Sequence, residues 1–483
     1  MNWNLTPPAD QQRFAPEEVY AAGLAQHHIA NTAYPIAHVK TMRPYKVLRC
    51  DMETVARQAW ADVGRLGLYV HVPFCESRCA YCEYTVLDPR LNHRVEDAYF
   101  DLLAREFELY GRALDTSAKT LIGFDIGGGT PAFASLANLA RVVDEARRRF
   151  CFKPELTISI ETTPRIAALD PDKIRGVRRL GIERISMGVQ TIQPDLLKAL
   201  ERAGSTADLN VKAAENIRAA GFGKFNVDLM YGFAHQSLRS WEATLKHAIG
   251  LGPEYITLYR MRYKGTRIAP QAAQVTLEAV NELSALASQM LRAAGYHANP
   301  GKNTYSKIPG DVGTSDYLTE RVIHGAPYLG LGLGAQSLSR VTLSYNAGAA
   351  DKSLWLYQAK VQAGKLPLQD LYYLSREAAM GKMISVSFYF GEINLASFQN
   401  KFGWRLEEAF PSEVEFVLRR GLMEYTPTTL RLTPDGAKFY NGVIALFYAG
   451  AVKEHLLGLV QDASTERALP RPDRERAGER VYV

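Results

Sequence analysis

A chain of 483 residues, 47% hydrophobic and 22% charged, has material for two to four domains at roughly 100–200 residues each, which excludes a small disulfide scaffold, a disordered chain and a coiled coil. Its 57 Lys and Arg against 51 Asp and Glu leave a net charge of +6, suited to an anionic substrate and too weak to imply nucleic acid. The start, Met1-Asn2-Trp3-Asn4-Leu5-Thr6-Pro7-Pro8, lacks the basic region and apolar run of a secretory signal. The apolar stretch at 443–452 falls short of the about 20 residues of a membrane span. A cytoplasmic protein is expected, with neither a membrane nor a nucleic acid as partner.

Pro7-Pro8, Tyr34-Pro35 and Pro44 punctuate residues 1–66, which lack sustained periodicity and read as an irregular N-terminal arm lying on the barrel that follows. Between 67 and 295 a short apolar run, a Gly/Pro/Asp-rich turn and an amphipathic stretch recur, the pattern of parallel strands with helices outside. Strands are predicted at 68–72, 120–126, 156–161, 184–188, 225–230 and 255–259. Helices are predicted at 95–114, 136–150 with Ser135 as N-cap, 170–180, 195–202, 207–220, 238–250 and 275–294. Six βα units are too few for a closed eight-stranded barrel, so the fold class is α/β, a partial (β/α)6 barrel with its cavity at the C-terminal strand ends. Residues 296–350 are expected to link the barrel to a further domain, and they carry the glycine-dense run Tyr328-Leu329-Gly330-Leu331-Gly332-Leu333-Gly334-Ala335. Residues 351–460 are mostly helical, with a helix-then-hairpin pattern from Arg419 to Gly436 that reads as winged-helix-like. Residues 461–483 read as a disordered basic tail.

Of five cysteines, Cys75, Cys79 and Cys82 fall within eight residues, directly after the first strand at the barrel mouth. They are too close together for a disulfide framework and read as metal ligands. Three thiolates hold three irons of a [4Fe–4S] cluster and leave the fourth iron open. Zinc, whose sites pair CxxC units or add histidine, and three unconnected core thiols are the alternatives. Cys50 and Cys151 have no ligand-spaced partner and read as packed thiols.

The residues around the motif, Tyr69-Val70-His71-Val72-Pro73-Phe74-Cys75-Glu76-Ser77-Arg78-Cys79-Ala80-Tyr81-Cys82-Glu83-Tyr84, resemble the radical S-adenosylmethionine (SAM) superfamily. The resemblance is to the branch of oxygen-independent coproporphyrinogen III dehydrogenase (HemN), the heme chaperone HemW and the class C methylases. It implies a SAM molecule chelated by its amino and carboxylate groups to the open iron and cleaved by one electron to a 5′-deoxyadenosyl radical. It also implies cofactor contacts: Gly128, Gly129 and Thr130 in the turn Gly127-Gly128-Gly129-Thr130-Pro131, Glu161, Gln190, Arg202 twelve residues after Gln190, and Asp228. A glycine turn alone is also a plain tight turn, and each polar residue alone also a strand-end cap. Tyr69 is implied near the cluster, with a core tyrosine as the alternative, and His71 packs beneath the loop.

Within the branch, the dehydrogenases carry a further cysteine where this chain has Tyr84, and the chaperones carry an HNxxYW motif where it has Ser315-Asp316-Tyr317-Leu318-Thr319. Methyl or methylene transfer with two SAM molecules is therefore the expected reaction, on an aromatic, natural-product or tetrapyrrole substrate. Coproporphyrinogen dehydrogenation and heme chaperoning are the alternatives. The run at 330–337, with Gly334 and Ala335, is implied at a second SAM and reads equally as a structural turn. Phe388-Tyr389-Phe390 with Tyr372 and Tyr373 would line a flat pocket or pack a core, and Arg260, Arg262 and Lys264 would meet an anion or solvent. The implied partners are a small-molecule substrate and a flavodoxin- or ferredoxin-type electron donor. DNA contact by Arg419 and Arg420 is the weakest reading, because cations at a helix end also answer the macrodipole.

Overall fold

The computed structural model describes residues 13–29, 34–202 and 204–468. Pro7-Pro8 and the tail from 469 lie outside the described residues. The main sheet is built, in chain order, from β1 Arg65–Val72, β2 Thr120–Gly128, β3 Ile158–Thr162, β4 Ile182–Gln190, β5 Lys224–Tyr231 and β6 Tyr255–Arg260. They are followed by β7 Thr304–Ser306, β8 Tyr328–Leu331, β9 Gln336–Leu338, β10 Thr342–Asn346 and β11 Leu368–Tyr373. A two-residue strand, Cys151–Phe152, pairs beside β2. All six predicted barrel strands occur, parallel and in the order β1-β2-β3-β4-β5-β6, and the barrel stays open.

Along β1 the residues Leu66, Leu68, Val70 and Val72 are fully buried, while Gly67, Tyr69 and His71 alternate with them and face the barrel interior, as a pleated strand under a helical layer requires. The helices outside start on side-chain caps. Ser135, Thr163, Asp170, Thr206, Ser237 and Thr276 each accept from the backbone N–H three residues on. The helix predicted at 170–180 forms as Pro171–Arg179 with Asp170 as its side-chain cap, and a further short helix, Pro164–Leu169, precedes it. The helix predicted at 195–202 ends at Ala199, which frees Arg202 to turn inward.

Three expectations are corrected. The arm is helical where an irregular chain was expected: Pro16–Ala25 packs on Tyr440–Leu446 and Gly450–Ala468, and Met52–Trp60 buries Met52, Val55, Ala56, Ala59 and Trp60. The segment 296–350 extends the main sheet. β7 pairs antiparallel with β6, and β8 lies parallel beside β1 and leads into the β9, β10 and β11 meander. The helix Asp316–Ile323 closes the N-terminal end of the barrel: a Cβ on Gly67 would lie 2.7 Å from the Tyr317 ring, and one on Gly123 would overlap the Tyr317 backbone. The cavity lies at the opposite, C-terminal strand ends. The last helix runs on to Ala468 across the start of the expected tail.

The winged-helix-like pattern forms as expected. Strand β12 Glu392–Asn394 joins the hairpin β13 Met423–Tyr425 and β14 Thr429–Leu432 in the order β12-β14-β13, with Leu395–Phe402 and Pro411–Arg419 packed on it. Arg419 pairs with Glu17 at 3.1 Å, and Arg420 lies 5.1 Å over the Phe416 ring. Both arginines therefore serve the packing of the arm and this domain.

One buried carboxylate ties the glycine-dense run to the helical layer. Glu106, on the helix Asn92–Leu114, accepts from Gly332 N (2.7 Å), Tyr357 Oη (2.6 Å) and Asn346 Nδ2 (2.7 Å). Burial outweighs these donors and pushes its pKa up to about 7. Replacing it by Ala leaves Gly332 N and Tyr357 Oη without this acceptor and Asn346 Nδ2 with only its 3.0 Å bond to Gly332 O, so Glu106→Ala is expected to cost about 2 kcal/mol or more, read as a lower urea midpoint. An unchanged midpoint would show that the carboxylate does not anchor the run.

Candidate functional site

The loop after β1 and the turn after β2 are joined backbone to backbone. Gly129 N donates to Val72 O (2.9 Å) and Thr130 N to Phe74 O (2.6 Å). A Cβ on Gly128, whose φ is 115°, would come within 2.6 Å of the His71 ring, and one on Gly129 within 2.5 Å of the Phe74 carbonyl. Glycine is needed here for the contact with the cysteine loop. Thr130 Oγ1 lies 3.5 Å from Cys75 Sγ. His71 Nε2 sits 2.7 Å from Thr85 O, which assigns it the proton, and Nδ1 accepts from Tyr69 Oη at 3.4 Å. Burial holds the His71 pKa down at about 4, so the ring is a neutral prop beneath the loop.

Cys75, Cys79 and Cys82 line one cavity of ≈ 970 Å³ at the C-terminal ends of the strands, together with Gly128, Gly129, Thr130, Glu161, Gln190, Arg202 and Asp228. The structure thus brings the expected cluster ligands and cofactor contacts together. Tyr69 lies behind this wall: a Cβ on Gly127 would meet its ring at 3.0 Å and Glu161 Oε1 at 3.2 Å. Gly334 and Ala335 are absent from the lining. Gly334 N donates to Ala347 O (2.8 Å), and Ala335 is buried, so the run is used as a packed turn. Of the other candidates, Phe388, Tyr389, Arg260 and Arg262 line the cavity, whereas Phe390 and Tyr372 are core and Lys264 stands apart.

The polar groups are held in place from below. Ser186 Oγ donates to Asp228 Oδ2 (2.6 Å) and Asn226 Nδ2 to Asp228 Oδ1 (2.8 Å). Burial raises the Asp228 pKa, and burial with the nearby Asp228 and Asp125 charges pushes Glu161 up to about 8. Gly128 N donates to Glu161 Oε2 at 3.3 Å. Arg202 donates to Gly188 O, to Cys79 Sγ at 3.3 Å and to Tyr81 Oη at 3.3 Å. Burial opposes the Arg202 charge, but the Tyr81 and Cys79 groups outweigh it and raise its pKa. Gln190 follows a register shift in β4 and holds a left-handed φ of 67°, backbone strain of the kind that collects at functional sites. Ser186, Asn226 and Tyr81 were not singled out from the sequence. The strand period carried the signal for two of them, since Ser186 alternates with Gly188 and Asn226 with Asp228.

Two tests of fit favour an iron–sulfur cluster with a polar cofactor. Among the described residues no three His, Cys, Asp or Glu side chains converge on the position of one ion. Three thiols from one loop that line one cavity suit three corners of a four-iron cube, whereas a structural zinc takes four ligands. Burial pushes Cys75 up to about 12 and also raises Cys82, so their thiolates need the charge of a metal. Beside them, Gln190 Oε1 and Arg202 Nε are buried with no hydrogen-bond partner, an acceptor and a donor positioned for the ammonium and carboxylate of an amino acid.

Residues 69–248 match the sequence model of the radical SAM superfamily. The heme chaperone HemW of Bacillus subtilis (strain 168) is 26% identical over 402 residues, covering 78% of this chain and 98% of its own. The oxygen-independent coproporphyrinogen III oxidase of Salmonella typhimurium (strain LT2) is 24% identical over 403 residues, with 80% of this chain and 85% of its own covered. Residues 69–248 are a radical SAM domain, and the chain around it is similar to proteins of the HemN-like branch. Among solved structures, the radical SAM enzyme coproporphyrinogen III oxidase HemN from Escherichia coli superposes with a TM-score of 0.70 at 22% identity, over 86% of this chain and 96% of that one, which establishes the shared fold. A radical SAM domain implies a [4Fe–4S] cluster and SAM, in keeping with both tests of fit. Methyl transfer finds no support among these relatives, which are named as chaperones and oxidases. Among the described residues no helix is long and apolar enough to cross a membrane.

Cys75→Ala, Cys79→Ala and Cys82→Ala are each expected to abolish the four-iron content of the anaerobically reconstituted protein, measured by iron and sulfide analysis. Full iron in any of the three would refute that ligand.

Proposed function

We propose that this protein is a radical SAM enzyme that abstracts hydrogen from an anionic tetrapyrrole, a reaction of the coproporphyrinogen-oxidase type. The observation that carries this reading is the cavity at the C-terminal strand ends. Its lining has the three cysteines at one side, seven tyrosines, and eight lysines and arginines against four carboxylates. Such a wall favours a large, aromatic, negatively charged substrate. A [4Fe–4S] cluster held there would supply the single electron that makes SAM a hydrogen-abstracting reagent, and loss of CO2 from the substrate would then pass one electron to an external one-electron acceptor.

The chain's own residues bind and orient. Cys75, Cys79 and Cys82 hold the cluster, and the Gly128–Gly129 backbone brings it close to the strand ends. Arg202, already fixed to Gly188 O, pairs with the SAM carboxylate, and Gln190 Oε1 accepts from its ammonium. Asp228, clamped by Ser186 and Asn226, takes the ribose hydroxyls, and Glu161 accepts from the ammonium or ribose. The Asp316–Ile323 helix seals the far end of the barrel and limits water entry there. A flavodoxin- or ferredoxin-type protein would be the reductant.

The near end-to-end match to HemW supports a second reading, a heme-binding chaperone on the same scaffold. Anaerobic incubation with SAM, reductant and coproporphyrinogen III, followed by nucleoside and porphyrin analysis, separates the two. 5′-Deoxyadenosine formed together with a decarboxylated porphyrinogen is expected, without S-adenosylhomocysteine. Tight heme binding with SAM left intact would overturn the enzyme reading in favour of the chaperone.

Glu161 gives this reading a pH signature. With its pKa pushed up to about 8, the free protein carries a protonated Glu161 near neutrality. A cation and N–H donors favour its carboxylate form, so SAM binding below about pH 8 releases a proton. SAM affinity is expected to rise from about pH 6.5 to 8 and then level off, and Glu161→Gln to flatten the profile, as measured by calorimetry in buffers of different ionisation enthalpy. The same slope in the variant would remove Glu161 from the SAM site.

A further inference from the structure

Tyr84 and Tyr259 stand out among the aromatic side chains. Both lie deep among other groups, yet Tyr84 is 54% and Tyr259 38% exposed, and both line the cavity. The surface they expose therefore faces the cavity. Tyr84 follows Cys82 and Glu83 on the cysteine loop, Tyr259 lies near the end of β6, and Tyr389 comes from the C-terminal domain just after the buried helix Arg376–Ser387. Tyr84, Tyr259 and Tyr389 thus come from three separate elements to the lining of one cavity, each with a phenol that can donate a hydrogen bond.

Beside them lies one guanidinium with an exchangeable partner. Arg262, two residues beyond β6, is ion-paired with Glu83, and their side chains are 28% and 31% exposed. The Tyr389 and Tyr84 phenols follow Glu83 among the groups that favour the Arg262 charge. Three other cavity cations have partners of their own. Arg260 donates to Asn441 Oδ1 at 2.7 Å, Arg165 to Glu76 at 3.1 Å, and Arg202 to Gly188 O and the Cys79 thiol. The pair is under a third exposed and opens on the cavity, so a ligand carboxylate can take over the attraction that Glu83 supplies while Glu83 turns to solvent. Glu83 O also accepts from Lys352 Nζ at 3.0 Å, which keeps the loop in place during the exchange.

We propose that Tyr84, Tyr259, Tyr389 and the Glu83-paired Arg262 form the substrate subsite: a flat conjugated ring lies against the phenols, and one of its carboxylates pairs with Arg262. This rests on the tetrapyrrole reading above and adds the residues that recognise the ring and its acid group. Tyr84 thereby acquires a role at the position where the dehydrogenases of the branch carry a cysteine.

The test titrates the cluster-loaded protein with coproporphyrin III, the stable oxidised porphyrin, and with its amidated, carboxylate-free counterpart, following porphyrin fluorescence. Tyr84→Ala and Tyr259→Ala are each expected to weaken both ligands about tenfold, while Tyr259→Phe retains binding. Arg262→Gln is expected to weaken the free acid about tenfold and leave the amide unchanged, with Arg262→Lys partly restoring the acid. Iron content and SAM affinity should match the parent protein in every variant. Parent-like porphyrin binding by the Ala and Gln variants would overturn the subsite and leave the tetrapyrrole reading standing. Failure of the parent protein to bind either porphyrin would overturn that reading, and the subsite with it.

Discussion

Two backbones in contact make the site possible. The loop after β1 carries the cysteines, the turn after β2 carries the glycines, and the hydrogen bonds from Gly129 to Val72 and from Thr130 to Phe74 join them. A side chain at Gly128 or Gly129 would push against His71 or the Phe74 carbonyl, so the thiols would move away from the strand ends where Glu161, Gln190 and Asp228 stand. The same principle operates at the other end of the barrel. Gly67 and Gly123 admit Tyr317 and its helix, which close that end.

Charge organises what remains. The cavity wall is cationic overall, but burial raises the pKa values of its acids Glu161 and Asp228, and for Glu161 the Asp228 and Asp125 charges add to the effect. These groups are poised to ionise when a cation arrives, and a sulfonium with an ammonium is such a ligand. Arg202 answers them from the opposite side, beside Cys79, where a carboxylate would complete its hydrogen bonds. Outside this binding floor, the phenols and Arg262 line the part of the cavity left for a substrate.

Much of this was legible in the sequence, and the failures have physical causes. Strand-length apolar runs and capping residues such as Ser135 gave all six barrel strands, and the CxxxCxxC spacing with polar residues at successive strand ends located the cavity floor. The helix Met52–Trp60 was missed although Met52, Val55, Ala56, Ala59 and Trp60 have the spacing of a buried helical face, because nearby prolines masked it. The glycine-dense run suggested a ligand loop. Its glycines instead permit close packing and tight turns: a Cβ on Gly334 would meet Thr85 Oγ1 at 2.7 Å, and Gly332 binds the Glu106 carboxylate. Glycine content alone does not distinguish those uses. Tyr389 and Arg262 line one cavity because a C-terminal segment comes to the barrel mouth, a juxtaposition of distant parts of the chain that no local pattern encodes.

The central claim is that three cysteines present a cluster with an open iron to a SAM site formed by Gln190, Arg202 and Asp228. Electron paramagnetic resonance of the anaerobically reconstituted, reduced protein tests it directly. The account predicts a [4Fe–4S]⁺ signal whose line shape changes when SAM is added, with that change lost in Arg202→Ala while the signal itself persists. A cluster signal indifferent to SAM in the parent protein would contradict it.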